Sequence, residues 1–167
     1  MNKNRLLFFS IVCLLASCSE ENKFNPNNAG IIHKNEEMLT QTIIYDIFTP
    51  PVASRIYAYT SLAQYEAVRF LKEGNASLAA KLNGFGNLPQ PQNGRQYNYL
   101  LSAVKAFTTV AYNVRIFNDS LLKRYEDSLV QGFKATVSPD VFENSVAFGD
   151  SIGNIILARA KTDMYKE

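Results

Sequence analysis

The stretch from Thr49 to Phe70, TPPVASRIYAYTSLAQYEAVRF, reads as a helix from its first residues. Thr49 offers a hydroxyl to the free amides of a first turn. Pro50 and Pro51 follow where a missing N–H costs nothing and a fixed φ helps. Val52, Ile56, Tyr59, Ala63, Ala67 and Phe70 then recur at helical spacing. Ala53, Ala63 and Ala67 let a neighbouring helix come close, while Tyr57, Tyr59 and Tyr65 bring area with one polar tip each. Gly74 lies past the end, where a left-handed stop is expected. This stretch is expected to be the central, mostly buried helix of an all-α domain.

The flanking segments follow the same period. Asn35 is expected to cap a helix running through Phe48, with Glu36 and Glu37 at the positive end of its dipole and Met38, Ile43, Ile44, Ile47 and Phe48 inward. Asn75 to Leu82 suggests a short helix with Leu78, Ala79 and Leu82 inward. Residues 83–95, NGFGNLPQPQNGR, form a long surface loop, functional or mobile. Tyr97 to Phe117 has no Pro or Gly and reads as a long buried helix. Asp119 to Lys134 is another, with Leu122, Leu129 and Phe133 inward and Lys123, Arg124, Glu126 and Asp127 as its solvated face. Ser138-Pro139 opens a last helix from Asp140 to about Tyr165, in which Gly149 and Gly153 share one face for close packing. No strand alternation and no long repeat appears. The fold class expected is all-α, an antiparallel helical bundle of about five to six helices after a cleaved signal and a flexible tether.

The chain has 167 residues, 47% of them hydrophobic, which suits one domain. Its 17 basic and 15 acidic side chains include Lys3 and Arg5 near the N-terminus. If a leader carries these two away, the remainder is neutral, so no nucleic-acid partner is expected. Leu6 to Ala16 is an eleven-residue, mainly apolar run, too short to span a bilayer. It ends in Leu15-Ala16-Ser17-Cys18, which resembles the bacterial lipoprotein signal. The resemblance implies removal of residues 1–17, diacylglycerol on the Cys18 sulfur and a palmitate-type acyl chain on its amine. The membrane is then a partner through Cys18, and the location is the cell envelope, anchored to the outer membrane on its periplasmic face or the cell surface. Cys13 falls within the leader, leaving no free thiol. Residues 18–31, polar and rich in Asn, are expected to be a tether, and 32–167 the helical domain.

Phe48 to Tyr59, FTPPVASRIYAY, with Ala63-Gln64-Tyr65-Glu66-Ala67, resembles the N-terminal helical region of vanadium-dependent haloperoxidase-related proteins of the type 2 phosphatidic acid phosphatase superfamily. Gly149 to Met164, GDSIGNIILARAKTDM, is similar to the helix before their catalytic half. The resemblance implies haloperoxidase or phosphatase chemistry in intact relatives, with vanadate or phosphate held by Lys, Arg, a Ser-Gly-His run and a second histidine. This chain has no Ser-Gly-His, no Arg-Pro and a single histidine, His33, expected in the tether on the surface. No catalytic, metal-binding or oxyanion-binding residue carries over, and vanadate or phosphate would bind a C-terminal half not present here. The reading is the non-catalytic part of a truncated haloperoxidase-like lipoprotein, inactive alone, whose exposed apolar faces favour self-association. The alternative is a stand-alone binding or scaffold lipoprotein using the 83–95 loop or a bundle groove. Glu66 and Arg69 are expected to form a structural ion pair, and Arg55 to be a buried structural arginine bonding loop carbonyls.

Overall fold

The computed structural model describes residues 23–114 and 118–165. Five α-helices account for most of them: α1 (Gly30–Tyr45), α2 (Pro50–Val68), α3 (Tyr99–Ala111), α4 (Ser120–Thr136) and α5 (Pro139–Ala160). Short 3-10 turns cover Arg69–Leu71 and Ala79–Lys81, and the described residues contain no strand. The chain is an all-α bundle. Cys18 and the expected leader lie outside the described residues, and the long helix expected over Tyr97–Phe117 runs only from Tyr99 to Ala111, with 112–114 already in a turn ahead of the undescribed positions 115–117.

The helix starts follow local chemistry. Pro50 and Pro139 occupy first turns behind Thr49 and Ser138, whose backbones are extended. Neither hydroxyl makes the capping bond expected of Thr49. The proline and the backbone geometry define these starts. Asn98 does cap α3, its side chain accepting from the Leu101 amide at 3.0 Å. The first helix starts earlier than expected, at Gly30 (not Asn35). Ile31 is buried and the Phe24 ring packs edge-on to Phe133, so part of the expected tether lies against the domain. The segment expected as a helix over Asn75–Leu82 is reduced to one 3-10 turn, and the last helix ends at Ala160.

The centre of the bundle is α3, where ten of 13 residues are buried, rather than α2, where six of 19 are. Two glycines explain how α5 lies so close to it. A Cβ on Gly149 would strike the Ser102 carbonyl and come within 2.8 Å of Lys105 Cβ. One on Gly153 would come within 2.8 Å of Thr109 Cβ. The register (Ser102 beside Gly149, Ala106 and Thr109 beside Gly153) makes α3 and α5 run in the same direction. This follows from topology: the intervening α4 returns antiparallel, placing Glu126 beside Thr108 and Phe133 near Leu101. Helices α1 and α2 are antiparallel, with Thr40 bonded to Tyr57 and Glu36 to Ser61. Phe107, Ile56, Leu39, Leu122 and Ile152 form the main core, and Phe70, Tyr97, Tyr99 and Phe148 make an aromatic cluster at one end.

Several expected orientations differ. Ile44 and Ile47 were expected inward but are 70% and 86% exposed: Ile44 lies off the face that buries Leu39, Thr42 and Ile43, and Ile47 follows the end of α1 at Tyr45, where the chain turns away. Leu78 and Leu82 are also exposed, while Ala79 is buried. Asn35 is no cap: it is fully buried, bonded to Gln64 and to the Tyr125 hydroxyl. Glu126, expected on a solvated face, is buried against α3.

Candidate functional site: buried ion pairs and an apolar cavity

Three half-buried cations are each engaged by a carboxylate. Arg55, near the start of α2, donates Nε–H to Asp163 Oδ2 at 3.0 Å and Nη2–H to the Ala160 carbonyl at 2.6 Å. Its guanidinium lies over the Tyr59 and Tyr165 rings. Tyr59 Oη–H donates to the same Asp163 oxygen. Burial opposes ionisation of Asp163, but bonds from the Tyr165 amide, Arg55 and Tyr59 outweigh it and hold its carboxyl below the usual range. Arg55 thereby satisfies a free carbonyl at the end of α5, a structural role as expected, but on a helix end and a carboxylate and not on loop carbonyls.

The Glu66–Arg69 pair forms as expected, at 3.0 Å with the Glu66 side chain fully buried. Glu66 Oε1 also accepts from the Ala79 amide at 2.8 Å and the Ser77 hydroxyl at 3.0 Å. Arg69 donates onward to the Asn75 carbonyl and stacks on Phe70. The cluster holds the segment after α2 against the bundle. Leu88, buried within the 83–95 loop, and the Arg95–Asn144 bond anchor the next stretch.

The third cluster escaped the sequence reading. Glu126 Oε1 accepts from Lys105 Nζ at 2.6 Å and Thr108 Oγ1 at 2.9 Å, and Oε2 accepts from Tyr112 Oη at 2.7 Å. Burial would raise its carboxyl, but these donors bring it below the usual range. Burial and the Glu126 contact push the Tyr112 phenol up. The available signal was spacing: Leu122, Glu126, Leu129 and Phe133 fall along one helical face.

His33 lies on α1 instead of before it, exposed. No group of three or more His, Cys, Asp or Glu side chains among the described residues is arranged to hold a metal ion. No helix among them is long and apolar enough to cross a membrane.

A cavity of ≈ 720 Å³ opens between α2, the Ala79–Lys81 turn and the end of α5. Ala58, Leu62, Tyr65, Leu78, Leu82 and Phe85 form its apolar wall, and Lys81 and Arg159 are its charged groups. The exposed Leu78 and Leu82 thus contribute to a concave surface.

No protein-family model matches the chain, and no curated protein does. Among solved structures, the crystal structure of the first bacterial vanadium-dependent iodoperoxidase is similar, with 33% sequence identity and a TM-score of 0.74. The match covers 81% of this chain and 32% of that one, so the chain spans about a third of the length of the structure it matches. The five-helix bundle, with α3 at its centre, therefore has a haloperoxidase-like fold.

Proposed function

We propose that this chain is a lipid-anchored envelope protein whose helical domain is the N-terminal, non-catalytic part of a haloperoxidase-like protein. The observation that carries the reading is the match itself: identity of 33% over most of this chain, against only 32% of the iodoperoxidase. On this reading the activity of an intact relative, iodoperoxidase or phosphatase, resides in sequence beyond the matched helices. An oxyanion such as vanadate needs several convergent cationic donors and, in this family, histidines. Among the described residues, Arg55, Arg69 and Lys105 are committed to Asp163, Glu66 and Glu126, and His33 stands alone on α1. The lipid anchor rests on the Leu15-Ala16-Ser17-Cys18 run, with Cys18 as the acylated residue.

The purified chain should oxidise neither iodide nor bromide with peroxide, and should hydrolyse no phosphomonoester, with or without vanadate. Turnover above background would overturn the non-catalytic assignment. Radiolabelled palmitate should enter the wild-type chain in bacteria and not Cys18→Ser, which should lose its membrane attachment. Equal labelling of the two would end the anchor assignment.

A further inference from the structure

The cavity beside Arg159 combines an apolar wall with a fixed cation. Its volume of ≈ 720 Å³ falls within the range of small-molecule sites. Neither Lys81 nor Arg159 has a carboxylate within ion-pair distance among the described residues, unlike Arg55, Arg69 and Lys105. Arg159 is also held in place. Its Nε–H donates to the Asn83 carbonyl at 3.3 Å and its Nη1–H to Thr162 Oγ1 at 3.4 Å. The guanidinium lies against the turn at Gly84, where φ is +84° and a Cβ would come within 2.5 Å of Nε. Glycine at 84 thus makes both the turn and the arginine's position feasible. The Nη2 edge has no partner among the described residues, so N–H donors remain for an anion.

The polar groups of the wall narrow the ligand class. The Tyr59 hydroxyl donates to Asp163, that of Tyr65 to the Ala76 carbonyl, and that of Ser61 to Glu36. Few donors remain for a sugar or a base, which need many. An apolar body with one anionic end matches what is left: contact area along Ala58, Leu62, Leu78 and Leu82, and charge-assisted bonds at one end.

We propose that this cavity binds a single-headed amphipathic carboxylate, its head on Arg159 and Lys81 and its apolar body against α2 and the Leu78–Leu82 segment. The inference goes beyond the function proposed above and does not rest on it. The test uses the full chain carrying Cys18→Ser, so that no acyl anchor competes. Decanoate is the probe, decanol its neutral twin, and the methyl resonances of Leu78 and Leu82 the readout. Decanoate should shift both saturably and bind at least ~10-fold more tightly than decanol, the loss expected for removing a charge-assisted bond. Arg159→Met and Lys81→Met, the latter at an exposed position, should each weaken decanoate while leaving decanol unchanged. Ala58→Trp, at an exposed position, should fill the cavity and abolish both without moving the unfolding midpoint. Equal binding of the two probes, unmoved leucine methyls, or undiminished binding in both Ala58→Trp and Leu82→Trp would overturn the proposal. So would a dimer that Ala58→Trp splits, which would assign the groove to a second copy.

Discussion

Ile47 occupies a backbone position that glycine usually holds. After α1 the Phe48 amide bonds the Ile43 carbonyl at 3.3 Å and the Ile47 amide bonds the Ile44 carbonyl at 3.2 Å, the paired bonds of a Schellman stop. The residue between them must be left-handed, and Ile47 has φ +53°. A β-branched side chain is strained there, and at 86% exposure it recovers almost no burial within this chain. Ile47→Gly should therefore raise the unfolding free energy by about 0.5–1 kcal/mol, the αL strain relieved less the added chain entropy. Urea melts would show it, and a loss of stability would mean the isoleucine makes a contact that matters. Glu126 gives the pH dependence. Its folded-state pKa lies below the ordinary value of 4.5, so its contribution is present above that value and is lost as pH falls through the folded one. Asp163 acts in the same sense. Glu36, raised by burial, acts oppositely and favours the folded state at low pH. The stability gap between wild type and Glu126→Gln should shrink as pH drops from about 7 to about 3, since only the wild type carries this linkage. A gap constant across that range would contradict the assignment.

At the scale of the elements, the α3–α5 contact rests on missing side chains. Gly149→Ala would gain about 1 kcal/mol of helix propensity, yet its methyl group meets the Ser102 backbone, which cannot rotate away. The net effect should be destabilising by roughly 1–3 kcal/mol, and by less for Gly153→Ala, whose nearest neighbour is the Thr109 side chain. Thermal melts of the two variants should rank in that order, and a stabilised Gly149→Ala would refute the packing. These glycines, the prolines at 50 and 139 and the 3-4 apolar period of α3 were legible in sequence because each reflects a local rule. The burial of Glu126 was not, since a carboxylate on a mixed helix face reads as solvated until its partners, Lys105, Thr108 and Tyr112, are brought from another helix. Asn35 failed for the same reason: its polar partners Gln64 and Tyr125 lie far along the chain. Leu78 and Leu82 were legible as apolar, but not as the wall of a cavity, because a three-residue turn has no period to read.

Across the whole molecule, closed and open apolar surface coexist. Phe107, Phe133, Ile56 and Ile152 are wholly buried, as in a self-sufficient core. Yet Ile44, Tyr45 and Ile47 stand clustered and exposed at the end of α1, well away in sequence from the cavity wall. Contiguous exposed apolar clusters on a monomer mark surfaces that other protein covers. The matched iodoperoxidase is about three times as long as the region shared with it, which provides a reason for such surface on a chain of this fold. Alone, this chain should then associate with itself through the α1 end. Sedimentation should show a mean mass that rises with concentration, and the double variant Ile44→Lys, Ile47→Gly should remain monomeric over the same range. Because both side chains are exposed, the variant should unfold at no lower denaturant concentration than the wild type. That pairing separates interface from core: a wild type monomeric at every concentration removes the self-association claim, and a variant that loses cooperative unfolding shows that these side chains serve the fold instead.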